Sequence, residues 1–186
     1  MSPTLPTTLQ ILAELKSVFE RISPNQVQQL IKVIGTAPRI FVLGVGREGL
    51  AARGFAMRLM HLGFEVHWGW DETTPNVTDQ DLFIQVNGSG AIGHLDYVFA
   101  QVRATGATTV VVTGVPTAET PMQADVVVSV PATVYRGSGD LVESIQPMGS
   151  LFEQSLQLLF DTVILELARL TGVTNEQLAA RHRNFE

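Results

Sequence analysis

Between residues 39 and 131 the chain alternates short apolar runs with longer segments patterned at helical spacing. "RIFVLG" (39–44), "FEVHW" (64–68), "DLFIQV" (81–86), "TTVVVTG" (108–114) and "DVVVSVP" (125–131) read as strands. Runs this apolar suit strands buried on both faces, the condition of a parallel sheet covered by helices. Between them "REGLAARGFAMRLMHLG" (47–63) and "IGHLDYVFAQVRATG" (92–106) read as helices closed by glycines, Gly63 and Gly106. The pattern predicts an α/β fold: a five-stranded parallel sheet, doubly wound into a three-layer αβα sandwich, with the flavodoxin-like strand order 2-1-3-4-5.

The flanks are helical. "TTLQILAELKSVFERI" (7–22) carries apolar residues at helical spacing, and a second helix starts with Ser23 as N-cap and Pro24 in its first turn, running to Gly35. A long helix is expected from about Met148 to Leu170 and a short one from Thr174 to about Arg183. With 186 residues and neither an internal repeat nor a long linker, the chain is expected to be one domain. Its parts are N-terminal helices (1–36), an α/β core (37–131) and C-terminal helices (147–186). The turn-rich segment 131–146 is a loop long enough to suggest a function.

A composition of 45% hydrophobic and 16% charged residues is that of a soluble globular chain. A net charge of −6 argues against nucleic acid as partner but leaves room for a phosphorylated small molecule, because a site's local charge can oppose the overall sign. The absence of cysteine excludes disulfides and thiolate metal ligands. The greasiest stretch, 155–170, is interrupted by Asp161 and Glu166, so no membrane span is expected. "MSPTLPTTLQ" carries no basic patch followed by an apolar run, so no secretory signal is read and a cytoplasmic location is expected.

In a 2-1-3-4-5 sheet the ligand crevice opens between strands 1 and 3 at their carboxyl ends. The loops that fall there are "GVGREG" (44–49) and "NGSGAI" (87–92). The first has Gly-x-Gly before a helix, but its third glycine is at 49, one short of dinucleotide-binding spacing, and the glycines alone also suit a tight turn. The second offers an anion the backbone amides of Gly88, Ser89 and Gly90, a hydroxyl and the positive end of a helix. Arg47 can pair with phosphate through its forked guanidinium or serve as a solvated helix charge. Glu48 suits a first helical turn, yet would repel a phosphate unless it points away or the ligand offers hydroxyls.

In "SIQPMGSLFEQ" (144–154), Glu153 and Gln154 open a long apolar helix. Glu153 reads either as an N-terminal charge or as a general base whose pKa rises in a partly desolvated pocket. His61, His67 and His94 form no metal-ligand cluster, and His182, in the terminal "ARHRNFE", reads on composition as a surface residue.

"FAMRLMHLG" (55–63), "SIQPMGSLFEQ" and "RHRNFE" (181–186) together resemble the 6-phospho-3-hexuloisomerases of the sugar-isomerase (SIS) domain superfamily, and "TTP" (73–75) fits as well. The likeness runs from the first helix to the last residue. It implies interconversion of hex-3-ulose 6-phosphate and fructose 6-phosphate through a cis-enediol, the step after formaldehyde fixation in the ribulose monophosphate pathway, with no metal and no redox cofactor. It implies Glu153 and His182 as the acid/base pair, and Gly46, Arg47, Asn87, Gly88, Ser89, Gly90 and Gln146 as substrate- and phosphate-binding residues. It also implies a homotetramer, or dimer of dimers, with sites near subunit boundaries. Helices 47–62 and 148–170 likewise carry more apolar surface than one sheet can cover, to be buried either by other copies or by the two N-terminal helices.

The loops depart from that family. Its first usually reads Gly-x-Gly-Arg-Ser-Gly, and here position 48 is Glu; its second usually reads Ser-Gly-Ser-Gly-x-Thr, and here Asn87 and Ile92 replace the first Ser and the Thr. Each hydrogen bond lost to a charged group costs roughly 1.5–3 kcal/mol. The catalytic end is thus intact while the phosphate end is altered. Two alternatives follow: a non-catalytic SIS-fold module that binds a sugar or sugar phosphate, and an isomerase of an unphosphorylated sugar in which Glu48 and Asn87 meet hydroxyls.

Overall fold

A computed structural model of the chain describes residues 4–185. Residues 1–3 and 186, which belong to the outer ends of the two helical flanks expected above, lie outside the described residues. The elements are α1 (Thr4–Phe19), α2 (Pro24–Thr36), β1 (Ile40–Leu43), α3 (Gly46–Leu62), β2 (Val66–Trp68), β3 (Leu82–Val86), α4 (Gly93–Arg103), β4 (Thr108–Thr113), α5 (Glu119–Met122), β5 (Val126–Ser129), α6 (Ser150–Thr171) and α7 (Asn175–Ala180).

The five strands form one parallel sheet in the order β2-β1-β3-β4-β5, as the alternation predicts. β1, β3 and β4 occupy the middle and are buried almost throughout, which is why they read as continuous apolar runs. Alternate residues feed two cores. Val42, Ile84, Val110 and Val112 face α1, α2, α3 and α6, whereas Phe41, Leu43, Phe83 and Val111 face α4 through Leu95, Phe99 and Val102.

The α3–α6 seam dominates the first core. Phe55 and Phe160 stack with centroids 4.3 Å apart and an interplanar angle of 11°. Arg47 near the start of α3 meets Glu153 near the start of α6, so the two helices run side by side in the same direction and open at the same edge of the sheet. The turn into α3 depends on close backbone approach: a Cβ on Gly49 would sit 2.8 Å from the carbonyl of Gly44.

Helix ends follow the sequence in part. Gly63 caps α3 in the left-handed conformation, and Thr174 forms a full capping box with Gln177. Ser23 takes the N-cap position, but its hydroxyl makes no capping bond. α6 begins at Ser150 rather than at Met148, where φ is +58° and no helix continues. α4 stops at Arg103, ahead of Gly106, and α7 stops at Ala180. The short α5 follows β4 and has no period to announce it. Segment 131–149 is irregular apart from a bridge between Ala132 and Val142, and crosses the carboxyl edge of the sheet as a strap.

Truncating the stacked ring tests this frame. Phe160→Ala should lower stability by about 3–5 kcal/mol in urea denaturation, because the hole is walled by two packed helices that cannot collapse into it.

Candidate active site

A cavity of about 690 Å³ opens at the carboxyl ends of β1 and β3. Three segments build it: the β1–α3 turn, the β3–α4 loop, and the strap with the first turn of α6. The size suits a small phosphorylated sugar.

The β3–α4 loop is pinned from below. Asn87 N–H donates to Val112 O at 3.0 Å, and the Gly88 carbonyl accepts from Gly114 N–H at 2.9 Å and Thr113 Oγ1 at 3.2 Å. The Asn87 side chain is wholly buried and turns towards α4, donating to Asp96 Oδ1 at 3.2 Å. The same Asp96 oxygen accepts from Thr120 Oγ1 at 2.7 Å. Asn87 thus shapes the loop from behind rather than facing the cavity.

On the cavity side, Gly88 N–H donates to Glu48 Oε2 at 2.9 Å. The carboxyl and the Phe152 ring fill the space beside the glycine; an added Cβ would lie 2.7 Å from Glu48 Oε2 and 3.0 Å from the ring. Glu48 Oε1 is buried and accepts no hydrogen bond. Burial pushes the Glu48 carboxyl up to about 7; the Gly88 N–H opposes the rise and the nearby Glu153 charge adds to it.

Across the cavity Arg47 Nη1 lies 2.9 Å from Glu153 Oε2 and donates to Ser150 Oγ at 3.0 Å. The contact with Glu153 is an ion pair without hydrogen-bond alignment. The Arg47 side chain is 61% exposed, so solvent screens the pair and Arg47 is cheap to redirect.

The structure therefore brings Gly46, Arg47, Glu48, Gly88, Ser89, Ile92 and Glu153 to one cavity. Asn87 and Gly90 sit outside its lining, Gly90 against Ala118 and Pro121. Gln146 is paired with Gln154 through reciprocal amide bonds of 3.0 and 2.8 Å, one residue beyond Glu153. His182 lies elsewhere: it is exposed, stacks on His61 with centroids 5.3 Å apart, and lines a second cavity of about 600 Å³ with Arg53, Met57 and Trp68. His61 is fifteen residues along α3 from Gly46, so at 1.5 Å per residue His182 is roughly 20 Å from Glu153 in its own chain.

Sequence reading missed Ser150, Phe152, Tyr135, Arg136 and Met148 as wall residues. Ser150 carried a signal, since it precedes Glu153 by three residues and so shares its helix face. Arg136 and Met148 carried none: both hold positive φ, +60° and +58°, a strap conformation that no local pattern encodes. Among the described residues, no three His, Asp or Glu side chains converge as a metal-ligand set, and no helix is long and apolar enough to cross a membrane.

A parallel sheet with its crevice at the switch point, two glycine loops and an opposed glutamate belong to the sugar-isomerase class, and residues 34–158 match the SIS domain family. The chain is 37% identical over 177 residues to 3-hexulose-6-phosphate isomerase of Bacillus subtilis, covering 95% of this chain and 96% of that one. It is 36% identical over 173 residues to the Mycobacterium gastri enzyme of the same name, covering 93% and 86%. A crystal structure from Methanococcus jannaschii, for which a function of 3-hexulose-6-phosphate isomerase was inferred, superposes with a TM-score of 0.82 at 27% identity, covering 98% of each chain. The chain belongs to the SIS-domain family and, within it, to the 3-hexulose-6-phosphate isomerases.

Burial of Glu48 makes a prediction with a definite sign. The unfolded chain ionises this carboxyl near its ordinary value of 4.5, the folded chain at about 7, so the folded state holds the extra proton in between. Stability therefore falls as pH rises through that window, and the full penalty is present above it. Glu48→Gln should gain on the order of 3 kcal/mol over the parent in urea at pH 8 and almost nothing near pH 4.

Proposed function

We propose that the chain isomerises hex-3-ulose 6-phosphate and fructose 6-phosphate, with the sugar lying across the cavity between the 88–90 loop and Glu153. The observation that carries this reading is the position of Glu153: a carboxylate in the first turn of α6, facing a cavity whose opposite wall is the Gly88–Ser89 backbone. Gly88 and Ser89 receive the phosphate through backbone N–H groups, and Arg47 turns from Glu153 to the phosphate oxygens.

Moving the carbonyl from carbon 3 to carbon 2 requires two proton shifts. Glu153 takes the proton from carbon 2, the electrons pass into a cis-enediol, and the proton returns at carbon 3 while a hydroxyl proton moves between the two oxygens. Releasing Glu153 from Arg47 as the substrate arrives frees the base for this step. The buried Phe152 ring keeps water from that face.

The second acid/base group is His182, supplied by a neighbouring copy. Leu50 and Met57 of α3, and Leu158 and Leu165 of α6, are exposed at 69%, 41%, 46% and 71%. Each pair is seven residues apart and so lies on one helix face. Packing these faces against other copies into a tetramer buries them and carries the C-terminal histidine of one subunit towards the crevice of another. The expected location is the cytoplasm, where such a phosphorylated intermediate is made and consumed.

Two measurements test this. Glu153→Gln should lose turnover of hex-3-ulose 6-phosphate by a factor of at least about 100 while still binding fructose 6-phosphate; full turnover would remove Glu153 from the reaction. Refolding Glu153→Gln together with His182→Asn, each inactive alone, should restore part of the activity if sites are shared between subunits. A stable monomer in sedimentation at micromolar concentration rules the shared site out.

A further inference from the structure

The carboxyl of Glu48 has no business on an anion-binding loop unless it gives way. Its Oε2 takes the Gly88 N–H at 2.9 Å, the first donor a phosphate oxygen would claim. Its Oε1 is buried without a hydrogen-bond partner, so the group is already short of stabilising contacts before any ligand enters. A phosphate dianion seated on Gly88 and Ser89 would then stand within a few ångströms of this carboxylate, in a partly dry cavity where like charges repel strongly.

Resting on the isomerase reading above, we propose that Glu48 is an internal occupant of the phosphate seat, which a sugar phosphate displaces only as the neutral carboxylic acid, so that substrate binding takes up one proton. The surrounding charges agree. On its own helix Glu48 has Arg47, which pairs with Glu153 and Ser150 in the free protein and with the phosphate itself in the proposed complex. From α6 the facing group is Glu153, an anion; from the strap, Tyr135 and Arg136 line the cavity. The 87–92 loop contributes no ionisable side chain, and Asp96 lies behind it, held by Asn87 and Thr120. No cation is therefore dedicated to Glu48, and a proton is what neutralises it when a second negative charge arrives. Burial has already brought that proton within reach of neutral pH. Once protonated, Glu48 has an O–H to donate to a phosphate oxygen, replacing the hydroxyl that a serine would offer at this position.

The sign follows from linkage. Below pH 7 the free protein already carries the proton and affinity is at its plateau. Above it the proton must be drawn from solvent, and affinity falls by about tenfold per pH unit. The ligand's own second ionisation, near pH 6, is complete by then and does not contribute.

Isothermal titration of the full chain with fructose 6-phosphate, at pH 7, 8 and 9 and in two buffers of different ionisation enthalpy, measures both quantities. The parent should bind about tenfold more weakly at pH 9 than at pH 8, with close to one proton taken up per site. Glu48→Gln and Glu48→Ser should bind with affinity nearly flat across this range and with almost no proton uptake. A parent affinity independent of pH, or the same slope in both variants, overturns the role of Glu48 and leaves the isomerase reading standing. Coupled binding without any turnover overturns the isomerase and leaves the role of Glu48. No binding heat in any of the three proteins removes the phosphate from the crevice, and both readings with it.

Discussion

Everything in this molecule is arranged by the direct pairing of β1 with β3, which leaves β2 on the outside. Because the connections leave β1 and β3 in opposite directions along the sheet, no helix covers the gap between their carboxyl ends. The two glycine loops meet there. The parallel packing of α3 on α6 then sets the opposite wall, because the ring stack between Phe55 and Phe160 fixes how the two helix starts face each other. Arg47, Glu48, Ser150 and Glu153 are all first-turn residues, and their meeting is a consequence of that register.

The site contains two carboxyls in different surroundings. Glu153 faces an arginine that can leave, and Glu48 faces an amide that cannot. Divergence of environment around paired acids is a common way to give them different tasks. In the binding mode proposed above, one glutamate lies beside the carbons and the other beside the phosphate. In that proposed mode, substitution of the usual loop hydroxyls alters the terms of anion binding without removing the Gly88 and Ser89 amides.

The fold was legible because its signal is repeated. Five apolar runs at regular intervals, each followed by turn residues, admit few arrangements of a parallel sheet. Gly63 and Thr174 announced their helix ends through chemistry that is local in sequence. The beginning of α6 was misplaced by two residues because the strap holds Met148 in a left-handed conformation imposed from outside. In the site, Glu153 and the loop glycines were legible as residue types. Asn87 was not: a polar residue at the end of a buried strand reads equally as ligand contact or as internal brace, and only its bond to Asp96 decides.

The sequence by itself determined the sheet, its strand order, the two glycine loops at one edge, and the glutamate that opens the long helix. These depend on periodicity and on backbone preferences that act over a few residues. Only the tertiary structure decided that Glu48 sits on the Gly88 amide, that Asn87 faces backwards, and that His182 belongs to the far end of α3. The first and last depend on groups meeting across forty or more residues of chain, and the Asn87 contact on how the loop folds back onto the start of α4; a carboxyl's charge is set by such neighbours and by lost water, neither of which is written in its own position.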